Sequence, residues 1–175
     1  MHTTHHLTIG LGGGCHWCTE GVFAQLIGVV EVEQGWVASE PPHDAFSEAI
    51  RLTFDPGVLP PEVVIDIHLH THAATKAHPL RHKYRSAVYY THEAQQLGLQ
   101  DMLTRLGSQW EAPLVTRLLP LHQFKSSPPR YRGYYRHTER PFCKAYIHPK
   151  LRQLLRDYRD YTDEAKARAA LGRER

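Results

Sequence analysis

The chain has 175 residues, of which 41% are hydrophobic and 22% are charged, and its formal net charge is +3. This length and composition predict one domain with a hydrophobic core, and so mild a charge argues against a dedicated nucleic-acid binder. No stretch approaches the roughly 18 apolar residues of a membrane-spanning helix, and residues 1–6 lack the Lys or Arg of a signal peptide. Three cysteines form no complete disulfide framework, so we expect reduced thiols in a cytoplasmic protein. We also expect a monomer.

Predicted strands and helices alternate along most of the chain. Alternating or continuous apolar runs predict strands over residues 7–11, 29–37, 47–54, 85–90 and 114–121. Helices are predicted over residues 15–27, 60–72 and 92–110, and again from Pro149. The order β-α-β-β-α-β predicts an α+β fold, a ferredoxin-like two-layer sandwich in which helices pack on an antiparallel-rich mixed sheet.

The C-terminal third is predicted to be irregular. Residues 123–141 are expected to be mostly loop, with a short helical turn over residues 131–136. From Tyr161 onward the chain is charged and low in large apolar residues, which favours a solvated, mobile tail. We therefore expect a single domain over residues 1–160 and a tail over residues 161–175.

Residues 12–18, Gly-Gly-Gly-Cys-His-Trp-Cys, are the segment with the clearest chemistry. Cys15 lies where the first predicted strand passes into the first predicted helix. Free backbone N–H groups and the helix dipole stabilise a thiolate there, so Cys15 is a candidate nucleophile. Two other interpretations remain open: Cys15 fills a tight turn as a small residue, or the Cys15-x-x-Cys18 spacing marks a redox pair or half of a metal site.

The same segment resembles the active-site signature of the A-class peptide methionine sulfoxide reductases. That signature reads Gly-Cys-Phe-Trp-Cys/Gly, followed by a Glu and a Phe, which are Glu20 and Phe23 here. Three further segments match in order, over residues 46–50, over residues 83–89, and over residues 141–143 followed by residues 149–151. The resemblance extends from about residue 7 to about residue 158 and identifies the chain as a divergent member of the class.

The resemblance implies reduction of the S-epimer of methionine sulfoxide, free or in peptides, within one catalytic domain. Cys15 would attack the sulfoxide sulfur. Glu48 aligns with the family's catalytic Glu and would protonate the departing oxygen, and Tyr84 aligns with a tyrosine that hydrogen-bonds that oxygen. Burial among apolar strand neighbours would keep a proton on Glu48, although the strand pattern taken alone slightly favours an outward-facing carboxylate.

The substrate-binding candidates are aromatic or lie beside Cys15. Trp17 is a candidate apolar wall for the substrate methyl group, and ordinary core filling is its other interpretation. His16 occupies the place of the signature's Phe, and Trp36 lies where the family has Gly-Tyr-Thr-Gly-Gly. The family's Asp before Tyr84 is replaced by Pro79. We hypothesise that one of three histidines supplies some of the lost polar contacts: His16, His78 or His82.

Attack by Cys15 would leave a sulfenic acid that a second thiol must resolve. Cys143 is the preferred candidate, because its Phe-Cys context resembles the family's resolving cysteine, and Cys18 is the alternative. As the resemblance implies, an external thioredoxin-like dithiol would then reset the enzyme, with no bound cofactor and no metal expected. The expected partners are thus methionine sulfoxide in peptides or proteins and this reductant.

Two other functions remain open on the sequence. One is a thiol–disulfide oxidoreductase or a zinc protein, because His68 and His72 are spaced i, i+4 on a predicted helix. The other is an inactive relative that only binds methionine-containing peptides, because the predicted pocket departs from the family pattern.

Overall fold

The computed structural model describes residues 5–172, which form a six-stranded sheet and five α-helices. The strands are β1 (Leu7–Gly12), β2 (Val29–Ala38), β3 (Ser47–Phe54), β4 (Ala87–Tyr90), β5 (Arg117–Pro120) and β6 (Gln123–Ser126). The helices are α1 (His16–Phe23), α2 (Pro61–His70), α3 (Gln96–Gly107), α4 (His148–Asp157) and α5 (Glu164–Leu171). Within the described residues, no helix is both long and apolar enough to cross a membrane.

The strand order is β5-β4-β1-β3-β2-β6. The central four strands, β4-β1-β3-β2, are antiparallel throughout and are connected as β1-α1-β2-β3-α2-β4. This is the ferredoxin-like arrangement, so the predicted α+β fold is confirmed. β5 adds a parallel strand to β4 at one edge and β6 adds an antiparallel strand to β2 at the other, which makes an open mixed sheet.

The apolar pattern of the central strands explains where the core lies. Ile50, Leu52 and Phe54 of β3 are fully buried, whereas Arg51 and Thr53 between them are half-buried. Side chains along a strand alternate between its two faces, so this pattern buries one face of β3 against the helices. The Cys-bearing end of β1 is held in the middle of the sheet, paired with β3 on one side and β4 on the other.

Several predicted boundaries differ from those in the structure. The helix predicted over residues 15–27 ends at Phe23, because Leu26 makes an isolated β-bridge with Thr162 and the following backbone turns at Gly28 with a positive φ. β6 falls in a segment predicted as loop. It pairs closely with β2 because Gly35 has no side chain: a Cβ there would lie 2.1 Å from the carbonyl oxygen of Lys125.

The segment predicted as a mobile tail contains an ordered helix in the structure. α5 packs against α4, with Ala167, Ala170 and Leu171 buried. Asp163 caps its first turn by accepting a hydrogen bond from the backbone N–H of Lys166 at 3.1 Å. Small alanines bury little area each, so composition alone underestimates this packing. Residues 173–175 of the predicted tail lie outside the described residues.

We expect Ala167→Asp to destabilise the protein because it places an unpaired charge at a fully buried position of α5. The free energy of unfolding should fall by more than about 2 kcal/mol, which lowers the midpoint of thermal unfolding by roughly 4–8 °C. Ala165→Asp is the matched control, since it lies on the exposed face of the same helix. Equal midpoints for the two variants in calorimetry would contradict the packing of α5.

Candidate active site

Cys15 lies in the turn between β1 and α1, as the N-cap residue of α1. Its carbonyl oxygen accepts the first helical hydrogen bond, from the backbone N–H of Cys18 at 3.1 Å. A hydrogen bond from the Cys18 side chain, with help from the backbone N–H of Trp17, lowers the pKa of the Cys15 thiol, although burial acts in the opposite direction. A thiol with a lowered pKa in a half-buried position has the character of a nucleophile.

A cavity of about 580 Å³ opens beside Cys15. Its aromatic side chains are Tyr84, Phe142 and Tyr146, and its cations are Arg81 and Lys150. No Asp or Glu is among its lining residues within the part of the chain that the structure describes. The remaining lining residues are Gly13, Gly14, Cys15, Cys18, Thr19, Val22, His68, Thr71, His72, His78 and Leu80. The cavity is large enough for a side chain with part of its backbone.

Glu48, in β3, is buried beside the N-terminus of α1, next to the peptide that links Cys15 and His16. Its Oε1 atom accepts a hydrogen bond from the backbone N–H of His16, the residue after Cys15, at 3.3 Å. Only 7% of the residue is exposed. Lys83 is the nearest cation, with its Nζ atom 3.9 Å from Oε2. The carboxyl and the thiol are thus neighbours at the N-terminus of α1, although Glu48 does not line the cavity.

His16 is buried between Glu48 and Trp36. Its Nδ1 atom lies 2.7 Å from the carbonyl oxygen of Gly35, and its Nε2 atom lies 3.4 Å from Oε1 of Glu48. The imidazole meets the Trp36 indole edge to face, with ring centroids 5.0 Å apart. Burial lowers the pKa of His16. His78 lies at the cavity and is exposed, whereas His82 is exposed and outside its lining.

The two other thiols differ in their access to Cys15. Cys18 lies one turn into α1, lines the cavity and hydrogen-bonds to Cys15, and this interaction together with burial raises its pKa. Cys143 is completely buried, in the π-helical turn before α4, and its Sγ atom donates to the carbonyl oxygen of Tyr134 at 3.4 Å. Cys143 is close enough to Cys18 for their charges to interact. Cys18 therefore has more direct access to Cys15 than Cys143 has, although the family resemblance prefers Cys143 as the resolving thiol.

Trp17 does not line the cavity and lies in an aromatic stack. Its indole stacks on Tyr134 with centroids 4.0 Å apart, and it contacts Tyr131 and the edge of Phe142. Phe142 lines the cavity, so Trp17 supports its aromatic wall from behind. Tyr84 is a lining residue, as expected for a group that meets the substrate. Trp36 is half-buried opposite Glu48 in the β2–β3 register.

His68 hydrogen-bonds to the Gly-rich segment before Cys15, and His72 hydrogen-bonds to Ser86. His68 Nε2 lies 2.8 Å from the carbonyl oxygen of Gly12, and His72 Nε2 lies 2.7 Å from Oγ of Ser86. The two rings pack with centroids 4.2 Å apart. Burial lowers the pKa of His68 to about 4, so the ring is neutral at pH 7. Among the described residues, no group of three or more His, Cys, Asp or Glu side chains has the geometry of a metal site.

Three further residues line the cavity that were not among the site candidates from the sequence: Phe142, Tyr146 and Lys150. Phe142 and Lys150 fall within the matched C-terminal segment, so that match was the available signal. Tyr146 carries no sequence signal, and it reaches the cavity because the π-helical turn (Cys143–Ile147) precedes α4. Lys150 is a half-buried cation that donates a hydrogen bond to the carbonyl oxygen of Thr71.

Comparisons with known proteins bear on the family and on the fold. A family model described as peptide methionine sulfoxide reductase matches residues 7–162. A curated peptide methionine sulfoxide reductase from Psychrobacter sp. is 33% identical over 88% of this chain and 97% of its own length. The reduced form of Mxr1 from Saccharomyces cerevisiae has a similar fold, with a TM-score of 0.66 at 19% identity over 74% of this chain and 83% of that one. Mxr1 in complex with Trx2 also matches, with a TM-score of 0.58 at 20% identity over 74% and 84%.

Proposed function

The chain belongs to the peptide methionine sulfoxide reductase family, and we propose that its substrate is the S-epimer of methionine sulfoxide, free or in peptides. Its activity is the thiol-dependent reduction of methionine sulfoxide to methionine. One observation carries the assignment of roles. The carboxyl group of Glu48 binds the backbone N–H of the residue that follows the activated thiol of Cys15, so nucleophile and acid meet at one helix terminus.

The first step transfers oxygen from the substrate to Cys15. The Cys15 thiolate attacks the sulfoxide sulfur while the proton of Glu48 passes to the oxygen. The attack forms an S–S bond between Cys15 and the substrate sulfur. The protonated oxygen then moves to Sγ of Cys15 as the S–O and S–S bonds to the substrate sulfur break, so methionine leaves with the electron pair and Cys15 becomes a sulfenic acid. Tyr84 lines the cavity, from where its hydroxyl would hydrogen-bond the oxygen, and the rings of Phe142 and Tyr146, which also line it, would pack against the substrate side chain.

The second step converts the sulfenic acid into a disulfide. The thiol of Cys18 attacks Sγ of Cys15, an S–S bond forms, and the hydroxyl leaves as water after taking a proton. The hydrogen bond between the two side chains in the reduced protein supports this pairing. Lys150 lies near Cys18, where its ammonium group would stabilise the attacking thiolate. Cys143 would then exchange with the new disulfide only after the residues covering it move.

A thioredoxin-like dithiol is the proposed reductant that resets the enzyme. The resemblance in fold to yeast Mxr1, which has been solved in complex with Trx2, supports this choice. The reductant would attack the disulfide, leave the enzyme thiols reduced and carry away a disulfide of its own. Access through the cavity mouth fits this exchange, because Cys18 lines the cavity and Tyr146 at its border is exposed.

The proposed substrate is tested with the separated epimers of N-acetyl-methionine sulfoxide. With thioredoxin, thioredoxin reductase and NADPH, we expect turnover of the S-epimer and no turnover of the R-epimer. The same preference is expected with dithiothreitol, which isolates the enzyme from recognition of the protein reductant. Equal rates for the two epimers would contradict the assignment.

We expect Cys18→Ser to prevent rapid disulfide formation, because it removes the thiol that hydrogen-bonds to Cys15. The variant should still form one methionine per enzyme and accumulate a sulfenic acid that dimedone traps, as read by intact-protein mass spectrometry. Cys143→Ser is the matched control and should form the Cys15–Cys18 disulfide at a rate within about threefold of the wild type. A Cys15–Cys143 disulfide forming at the wild-type rate in Cys18→Ser would assign resolution to Cys143.

A further inference from the structure

His16 stands where the family signature has Phe, and it lies against the proposed acid. We propose that His16 and Glu48 share one proton, which is carried on the carboxyl group and donated to Nε2 of His16. His16 thereby acts as a positioning residue that holds Glu48 in its protonated form, ready to deliver a proton to the sulfoxide oxygen. This inference deepens the proposed function and rests on the role of Glu48 as the acid.

The tautomer of His16 follows from the hydrogen bond at the back of the ring. Nδ1 lies 2.7 Å from the carbonyl oxygen of Gly35, and a carbonyl oxygen only accepts hydrogen bonds. Nδ1 therefore carries the hydrogen. In a neutral ring Nε2 is then an unprotonated acceptor, and it faces Oε1 of Glu48 at 3.4 Å. The lone pairs of Nε2 and of an ionised Oε1 would repel each other in this buried site. A proton on the carboxyl group instead makes a hydrogen bond between the two atoms.

Burial decides on which partner the proton lies. His16 is 5% exposed and Glu48 is 7% exposed, so an imidazolium–carboxylate pair would bury two charges. Burial lowers the pKa of His16, which favours the neutral ring over the cation. The neutral pair, a carboxylic acid donating to an imidazole, avoids the cost of burying charge. The Trp36 indole, packed against the ring, keeps it in this orientation.

The other polar and charged groups around Glu48 stabilise its carboxylate form. His16 is therefore needed to stabilise the protonated form. The backbone N–H of His16 donates to Oε1, and the ammonium of Lys83 lies 3.9 Å from Oε2. Both interactions stabilise a negative charge on the carboxyl group. The negative charge of a Cys15 thiolate acts in the opposite direction. Lys125 lies over the Trp36 ring, with Nζ 5.8 Å from the ring centroid. Among these neighbours, Nε2 of His16 is the side-chain acceptor that faces the carboxyl.

The tautomer and the shared proton can be observed directly by nitrogen NMR of the full chain labelled with ¹⁵N-histidine. The His16 ring signal is assigned by its loss in His16→Phe. In the wild type near pH 7, we expect a protonated Nδ1 and an unprotonated, hydrogen-bonded Nε2. As the pH rises, the ¹⁵N chemical shift of Nε2 of His16 should change when Glu48 loses its proton. This change should be absent in Glu48→Gln. A protonated Nε2, or the same transition in Glu48→Gln, would overturn the proposal.

The pH profile of the first turnover provides a second, independent test. In His16→Phe the remaining neighbours of Glu48 favour its carboxylate. The pH above which sulfenic-acid formation slows should therefore be lower by about one unit. The rate at pH 8.5 should then fall about tenfold more than the rate at pH 6. His6→Phe, an exposed change at the opposite end of β1, is the matched control and should keep the wild-type profile. The wild-type pH dependence in folded His16→Phe would overturn the inference.

The two proposals fail in distinguishable ways. If Glu48→Gln forms sulfenic acid at the wild-type rate, Glu48 is not the acid and the proposed mechanism fails. The NMR measurement detects the proton between Glu48 and His16 independently of the rate of sulfenic-acid formation. If NMR shows the shared proton in the wild type but Glu48→Gln reacts at the wild-type rate, the His16–Glu48 pair exists and has no catalytic role.

Discussion

Cys15→Ser is expected to abolish methionine sulfoxide reduction, with a loss of more than about 10⁴-fold in the first turnover. Serine keeps the size and the N-cap position of the residue, so α1 and the cavity should remain intact. Its hydroxyl is not ionised near neutral pH and cannot use the hydrogen bond from Cys18 that activates the thiol. The measurement is methionine released per enzyme in a single turnover without added reductant.

The other thiols provide the control for this experiment. Cys18→Ser and Cys143→Ser should each release close to one methionine per enzyme, because neither residue is the proposed site of attack. If Cys15→Ser released methionine at the wild-type rate, the nucleophile would be another thiol. Cys18 would then be the next candidate, because it also lines the cavity.

Glu48→Gln is expected to slow sulfenic-acid formation by about 10²–10⁴-fold, the range that a positioned general acid contributes. Glutamine has nearly the same shape as glutamate, and its amide oxygen can still accept the hydrogen bond from the backbone N–H of His16. The variant should therefore fold normally and bind substrate. It lacks an acidic proton to give to the departing oxygen, so the loss should appear in kcat and only weakly in KM.

A matched substitution on the neighbouring strand separates this effect from a general change of charge. Glu33 lies on β2 and forms a two-point pair with Arg51, at 2.9 and 2.8 Å, on the sheet and away from Cys15. Glu33→Gln should keep the first-turnover rate within about threefold of the wild type. The rate is measured by rapid quench and dimedone trapping between pH 6 and 9. A Glu48→Gln rate that matched Glu33→Gln would contradict the role of Glu48.

Sequence reasoning was most accurate where local pattern decides structure. The alternation in β3 and the glycine-to-helix transition at Cys15 each depend on neighbours along the chain, so both could be predicted from residue order. The same reasoning missed β6, because four residues gain their strand conformation only by pairing with β2. It also missed α5, whose small residues become buried only when α4 is present.

The sequence by itself predicted the ferredoxin-like core and the family and indicated Cys15 as the candidate nucleophile, because apolar periodicity and an ordered series of motifs follow directly from residue order. Only the tertiary structure decided that Glu48 is buried beside Cys15, that His16 faces its carboxyl, and that Cys18 has better access to Cys15 than Cys143 has. Residues 16 and 48 are separated by 32 positions and meet because β1 pairs with β3. A hydrogen bond at that separation depends on how strands are ordered in the sheet, and no local pattern specifies it.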